Sequence, residues 1–226
     1  MEVLRKIILL IVLSPLFTTG QDSTNYKQIY NEKLPDRRIL KSNPLNFLSG
    51  RVFYTSEYRL ALELVNNTST SSEIAISYLG LSPIFKELLL GSTQQFSNLA
   101  PAEPSLRGFR LQFSEKFYWT NSYRQAPHGW YMGPHFSYLN SKLEAFTNGI
   151  KQTSTLRIAS LNARLGYQYL WRGVYMVDIY IMSGYRDIVR TDESSNGYYL
   201  SSNTIIDDFP PSGFQFLAGF NIGFSF

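Results

Sequence analysis

The C-terminal stretch 213-GFQFLAGFNIGFSF-226 alternates between two kinds of side chain. Apolar residues occupy one parity and mostly small or polar residues the other: Phe214, Phe216, Ala218, Phe220, Ile222, Phe224 and Phe226 against Gln215, Leu217, Gly219, Asn221, Gly223 and Ser225. Successive side chains of a β-strand point to opposite faces of the sheet. The stretch is therefore predicted to form a strand with one apolar face.

The same alternation recurs upstream. It is clearest in residues 52–62, 109–119, 159–171 and 175–186, and it is weaker in 72–84 and 128–146. An even strand count requires the interrupted segment before these as the first strand, with Pro44 at a bulge or an unpaired position. The predicted strands are about 39–48, 51–64, 72–84, 106–120, 128–146, 156–170, 173–190 and 213–226.

Three features indicate that the apolar faces of the strands meet lipid. The alternative is a soluble exported β-barrel that carries an apolar ligand inside. The predicted strands exceed the usual length of about 5–6 residues. Their polar faces are rich in Gly, Ser, Asn and Gln. Tyr and Trp gather at the ends of the apolar faces, as in an interfacial girdle: Trp119, Tyr167, Tyr169, Trp171, Tyr175 and Tyr185. The strand count agrees with these three features, because short predicted connections alternate with longer ones at 85–105, 147–155 and 191–212. Because a sheet in lipid must close, the predicted fold is all-β, an eight-stranded antiparallel transmembrane β-barrel.

Composition excludes several classes of protein. Charged residues make up only 17% of the 226, against about 25% in a typical soluble domain. There is no cysteine for a disulfide scaffold or thiolate metal site, and two histidines leave little room for a His-based metal centre, so we expect no cofactor and no metal. The net charge of +4 is mild and not clustered, so nucleic acid is not an expected partner.

The N-terminus has the pattern of a secretory signal peptide. Arg5 and Lys6 precede the apolar run 7–13, which is too short to cross a hydrocarbon core that needs about 20 residues. Small residues then precede a cleavage site ahead of Gln21. The predicted organisation is a signal peptide over 1–20, a short polar periplasmic leader over 21–38 and the barrel over 39–226.

The polar faces of the strands predict a charged lumen. Its members are Glu57, Arg59, Arg110, Lys116, Arg164, Asp178 and Arg186, with His135 as a further polar candidate. An eight-stranded barrel is just wide enough for side chains to fill it, so we expect a plugged interior in which Glu57 and Asp178 pair with arginines. The alternative is a narrow anion-favouring pore, because inward cations outnumber inward acids in this set.

Several segments resemble a family of small outer-membrane β-barrels of unknown function common in Bacteroidetes, distantly like the outer-membrane-protein-A barrel. They are 40-LKSNPLN-46 leading to 57-EYRL-60, then 166-GYQY-169 before a tight turn, and the closing 219-GFNIGFSF-226. The long acidic final loop and Pro44 depart from the family pattern. The resemblance implies a Gram-negative outer-membrane location and carries no catalytic residues.

The alternating end of the chain is similar to the signal read by the barrel-assembly machinery of Gram-negative outer membranes. The residues concerned are Phe220, Ile222, Phe224 and Phe226. The implied partners are that machinery, outer-membrane lipid and lipopolysaccharide. The acidic segment 191–212, with Asp192, Glu193, Asp207 and Asp208, suits cation bridges to lipopolysaccharide phosphates or a surface protein partner.

The pair His135 and Ser137 raises an enzymatic alternative. A histidine base beside a serine hydroxyl begins a hydrolase arrangement, and the pair resembles the His-x-Ser of outer-membrane lipid A deacylases. The nearest downstream acid, Glu144, lies on the opposite parity. We therefore expect a non-catalytic structural or surface-interaction role, with a lipid-acting outer-membrane hydrolase as the alternative.

Overall fold

A computed structural model describes residues 38–48, 50, 54–84, 87, 105–119, 125–147, 150–194 and 212–226. Within these residues the chain forms eight β-strands. They are β1 (Arg38–Ser42), β2 (Thr55–Val65), β3 (Thr70–Leu81), β4 (Ser105–Tyr118), β5 (Gly129–Thr147), β6 (Ile150–Trp171), β7 (Tyr175–Ser194) and β8 (Gly213–Ser225). Among the described residues, no helix combines the length and apolar character needed to cross a membrane.

The strands close into an antiparallel barrel in chain order. Closure is made by β1 against β8, where Ile39 lies opposite Ser225 and Ser42 lies opposite Ile222. The predicted eight-stranded antiparallel barrel is confirmed. The turn end is the end that holds Arg38 and Phe226, where the even-numbered strands finish; the loop end is the opposite end, where the odd-numbered strands finish.

The first strand is shorter than predicted. The sequence predicted a strand over 39–48, whereas β1 ends at Ser42 and a 3-10 helix follows at Pro44–Phe47. Asn43 caps this helix, because its side-chain oxygen accepts the amide hydrogen of Leu45 at 3.1 Å. Pro44 has no N–H to donate to a neighbouring strand and its fixed φ suits the first turn of a helix, so the strand stops there.

The predicted loop over 147–155 is wrong. There β5 and β6 continue as a hairpin in which Thr147 lies opposite Ile150. On the other side of β6, Gln152 lies opposite Ser194, so β7 also runs past its predicted end at 190. The acidic segment consequently begins inside β7. Three strands therefore reach beyond the part of the barrel in which apolar and polar residues alternate.

The two faces of the barrel wall differ sharply in chemistry. Side chains on the alternating apolar parity point outward and stay exposed, including Phe216 at 66%, Ile179 at 61% and Phe113 at 46%. Side chains of the opposite parity point inward and are buried. The fold therefore places apolar side chains on the outside and charged side chains on the inside, the reverse of the arrangement in a soluble barrel.

Two tyrosines enter the lumen because glycines lie opposite them. Tyr131 faces Gly166 across β5 and β6, and Tyr180 faces Gly219 across β7 and β8. A Cβ added to Gly166 would stand 2.5 Å from the Tyr131 hydroxyl oxygen, and one added to Gly219 would stand 2.7 Å from that of Tyr180. The missing side chains leave the space that each ring occupies.

Candidate functional site

The candidate site is the charged interior of the barrel. Among the described residues, nine side chains with formal charges are buried: the cations Lys41, Arg59, Arg110, Lys116 and Arg164, and the carboxylates Glu57, Glu63, Glu73 and Asp178. Burying an isolated charge is very costly, so such groups persist only when they are paired and hydrogen-bonded. The pairing divides them into two groups along the barrel axis.

The central charge cluster comprises Lys41, Arg59, Glu63, Glu73, Lys116, Arg164 and Asp178, and it lies toward the turn end. Lys116 Nζ stands 3.1 Å from a Glu63 oxygen, 3.0 Å from a Glu73 oxygen and 3.2 Å from an Asp178 oxygen. Lys41 contacts the same three carboxylates. Both ammonium groups also donate to the Gln168 side-chain oxygen, at 3.1 and 3.0 Å. Two lysines thus share three carboxylates.

Two arginines complete the central charge cluster. Arg164 donates to Glu73 at 3.2 Å and to Asp178 at 2.8 Å, and its guanidinium carbon lies 3.8 Å from the centre of the Tyr180 ring. Arg59 donates to Glu73 at 2.7 Å and to the side-chain oxygen of Asn221 at 2.6 Å. The planar guanidinium holds several N–H donors in a fixed fork, so each arginine bridges two acceptors. The arginines therefore join strands that lie far apart in sequence.

Tyrosine hydroxyls satisfy the remaining carboxylate oxygens. Tyr118 donates to Glu63 at 2.8 Å and Tyr131 donates to Asp178 at 2.6 Å. Lys116 Nζ also lies 4.6 Å from the centre of the Tyr131 ring, within reach of a cation–π interaction. Glu63 and Asp178 consequently meet both cations and neutral donors, whereas Glu73 is held by Lys41, Arg59, Lys116 and Arg164.

A second, smaller ionic group lies nearer the loop end. Arg110 donates from Nη1 to Glu57 at 3.1 Å and from Nε to the Ser137 hydroxyl oxygen at 2.7 Å. Ser77 donates to the other Glu57 oxygen at 2.6 Å. Arg110 has a single carboxylate partner in the described chain, whereas Lys41, Lys116 and Arg164 each contact two or more.

Most of the predicted lumen set is buried inside the barrel. Glu57, Arg59, Arg110, Lys116, Arg164 and Asp178 are each at most 5% exposed, whereas Arg186 is half-buried near the loop end. As predicted, Glu57 and Asp178 each pair with an arginine, Arg110 and Arg164 respectively. The two carboxylates form part of separate groups.

Sequence reasoning missed Lys41, Glu63 and Glu73. Glu63 continues the parity of Glu57 and Arg59, so the signal for it was present. Lys41 lies in the segment that Pro44 interrupts, where the alternation is not regular. Glu73 comes after Ser71 and Ser72, which are both polar, so the pattern there did not show which residues point inward. With these residues included, buried cations exceed buried carboxylates by one, a smaller excess than the predicted set indicated.

The residues of the predicted His-x-Ser pair form hydrogen bonds with different residues. Both are buried and both point inward, but His135 Nδ1 lies 2.6 Å from the Ser114 hydroxyl oxygen on β4. The Ser137 hydroxyl oxygen accepts from Arg110 instead. The predicted acid, Glu144, pairs with Lys142 at 2.9 Å near the loop end. A hydrolytic serine needs the histidine as its base. Here His135 is hydrogen-bonded to Ser114, and Ser137 is hydrogen-bonded to Arg110.

The outer wall carries a continuous apolar belt with aromatic rings at its two edges. Toward the turn end the edge residues are Trp119, Trp130, Tyr167, Tyr169, Trp171 and Tyr175; toward the loop end they are Tyr58, Tyr78, Phe109, Tyr138, Tyr185 and Phe214. Rings of neighbouring strands touch, as between Trp130 and Tyr167 with centroids 5.3 Å apart. Beyond the loop-end edge several outward residues are charged, among them Arg107, Lys142, Arg157 and Asp187.

Three of the predicted features lie outside the described residues: the signal peptide, the leader up to residue 37 and the acidic loop residues 195–211. In the described part, no group of three or more His, Cys, Asp or Glu side chains is placed to hold a metal ion.

Comparison with known proteins adds no family. No protein-family model matches the chain, and no curated protein matches it significantly.

Proposed function

We propose that this protein is a small outer-membrane β-barrel of a Gram-negative bacterium, with a closed polar lumen and a non-catalytic structural or surface-interaction role. The observation that carries the proposal is the apolar belt on the outer wall of a closed barrel. In water such a surface would drive aggregation, because large contiguous apolar patches are rare on soluble monomers. In a bilayer the same surface is solvated by lipid.

The height of the belt supports this location. On β7 it runs from Tyr175 to Tyr185, about ten residue steps of about 3.3 Å each along the strand. A strand tilt of about 40° reduces the resulting ~33 Å to about 25 Å along the barrel axis, which equals the usual apolar band of outer-membrane barrels. The aromatic edges then lie at the two lipid–water interfaces, and charged residues such as Arg157 and Asp187 lie beyond them.

The interior supports a lumen closed to ions. The central charge cluster joins β1, β2, β3, β4, β6 and β7 across the barrel axis. Its side chains are at most 5% exposed, and an eight-stranded barrel is just wide enough for side chains to fill it. A permeating ion would have to break several buried charge pairs at once, each costly to separate. This packing favours the plug over the anion-favouring pore.

The strand ends and the loops supply the proposed partners. The outward residues Ile222, Phe224 and Phe226 at the end of β8 are at least 45% exposed, as recognition by the barrel-assembly machinery requires. Outer-membrane lipid surrounds the belt, and lipopolysaccharide or a surface protein meets the extracellular loops. Outer-membrane barrels have short turns in the periplasm and longer loops outside the cell, so the proposed orientation places the turn end in the periplasm.

Gel mobility tests the membrane-barrel proposal directly. Closed outer-membrane barrels resist SDS until they are heated, so the mature chain extracted from membranes should migrate differently before and after boiling. A mature chain that is monomeric in detergent-free buffer and shows no such shift would contradict the proposal.

Planar-bilayer recording tests the closed lumen separately. The purified, folded barrel is expected to give a conductance near zero. Stable, anion-selective current steps would instead establish the pore.

A further inference from the structure

A small cavity of about 40 Å³ lies on the loop-end side of the central charge cluster. Its lining comes from five strands and mixes donors with apolar groups: Arg110, Ser137, Leu139, Ile158, Ser160, Arg186, Gln215 and Leu217. By the space that a buried water needs, the cavity holds about three waters or one small ion. We call it the upper chamber.

The two arginines of the upper chamber have unused donors. Arg110 is 2% exposed, and its Nη2 atom is buried with no hydrogen-bond partner in the described chain. Arg186 Nε is in the same state. A buried donor without a partner costs the full desolvation of the group, more when that group is charged. The chamber therefore presents two cationic donors that nothing in the described part of the barrel satisfies.

The other polar groups of the upper chamber also favour an anion. Ser137 accepts from Arg110 and Ser160 accepts from Asn162, so each hydroxyl keeps its own hydrogen to donate. No carboxylate belongs to the lining, and Glu57 accepts from Nη1 of Arg110 rather than from the unpartnered Nη2. The apolar lining of Leu139, Ile158 and Leu217 lowers the local dielectric, which strengthens electrostatic attraction.

We infer that the upper chamber is a binding site for one small free oxyanion, phosphate-sized or smaller, held between Arg110 and Arg186. Guanidinium groups form charge-assisted hydrogen bonds with such anions, and the serine hydroxyls supply further donors. The cavity is too small for a lipid headgroup with its glycerol. The site depends only on the interior, so it does not depend on the membrane location.

The test is isothermal titration calorimetry. The refolded mature barrel in non-ionic detergent is titrated with inorganic phosphate at constant ionic strength, and the heat of binding is measured. Arg186→Gln removes one cationic donor outside the ion-pair groups, and it is expected to weaken phosphate binding about tenfold. Ser160→Leu fills the chamber without a change of charge, and it is expected to abolish binding. Arg157→Gln is the matched control, because Arg157 is exposed on the outer face of the same strand as Ser160.

Saturable wild-type binding that Arg157→Gln preserves and the two chamber variants reduce would support the site. Two results would overturn it: no saturable binding by the folded wild type up to about 10 mM phosphate, or equal binding by all three variants. Heat-modifiable mobility of each variant verifies that the barrel is folded, so a misfolded sample is not read as lost binding. A phosphoglycerol headgroup analogue added in parallel should not compete, and competition by it would assign the site to lipid.

Discussion

Asp178 and Ile179 are consecutive residues of β7 with opposite surroundings. Asp178 is fully buried and within hydrogen-bonding or ion-pair distance of Lys116, Arg164 and Tyr131. Ile179 is 61% exposed on the outer wall. In a soluble barrel the carboxylate would face water and the isoleucine would face the core. The comparison shows that the position of each residue relative to the barrel wall, rather than its hydropathy, determines what a substitution will do.

The inner wall gives the largest expected effect. Asp178→Asn removes the charge that Lys41, Lys116 and Arg164 share, and it leaves three cations buried with less compensation. Breaking a buried ion pair costs about 3–5 kcal/mol, and this loss should appear as a lower urea midpoint for unfolding from detergent micelles. The matched control is Asp187→Asn on the outer face of the same strand, where a change within about 0.5 kcal/mol is expected. Equal losses in the two variants would refute the ionic role of the interior.

The outer wall gives an effect that depends on depth. Ile179→Arg places a charge near the middle of the apolar belt, at an expected cost of about 2–4 kcal/mol in a bilayer. Val189→Arg places the same charge beyond the loop-end aromatic edge, where about 0–1 kcal/mol is expected. Equilibrium refolding into lipid vesicles measures both values. An Ile179→Arg variant that is as stable as wild type would show that this face meets water.

The contact of Tyr131 with Gly166 gives a smaller effect. Gly166→Ala adds a methyl group against the Tyr131 ring and the Ile179 carbonyl oxygen, 2.5 and 2.8 Å from the nearest atoms. Overpacking of this kind costs about 1–3 kcal/mol, measured by the same urea unfolding. Gly80→Ala is the control, since its nearest atom is the flexible Ser56 hydroxyl at 3.2 Å. A cost no larger than the control's would mean that the ring moves aside freely.

The smallest expected effect concerns His135 and Ser137. Because His135 contacts Ser114 and Ser137 contacts Arg110, alanine at either position is expected to leave lipid A acylation in the host unchanged. Mass spectrometry of extracted lipid A provides the measurement. Loss of a deacylated species in either variant, with the barrel still heat-modifiable, would establish the enzyme alternative.

Alternation predicted the barrel well where one face of a strand is apolar and failed elsewhere. Strand β8 and the middle of β6 were located closely because phenylalanine, leucine and tyrosine mark their outer faces. The upper end of β6, 151-KQTST-155, is polar on both faces because it lies beyond the apolar belt, so it resembled a loop in the sequence. Alternation of apolar and polar residues arises where the two faces of a strand meet different surroundings. It disappears where both faces meet water.

The candidate site was predictable only to the level of which residues point inward. Parity placed Arg110 and Arg164 in the lumen, but pairing across the barrel depends on register and on strand length. Lys41 shows this clearly, since it reaches Glu73 and Asp178 from a strand of five residues that ends before Pro44. Neither the upper chamber nor the shared carboxylates of the central charge cluster can be derived without that register.

The most direct test of the central claim uses the three native tryptophans. Trp119, Trp130 and Trp171 all lie outward at the turn-end edge of the belt, at least 52% exposed. Reconstituted into bilayers with bromines at defined chain depths, the barrel should show strongest fluorescence quenching by the shallowest bromines, about 12–15 Å from the midplane. Tryptophans that no brominated lipid quenches, in a chain that stays folded in the aqueous phase, would contradict the assignment of the outer wall to lipid.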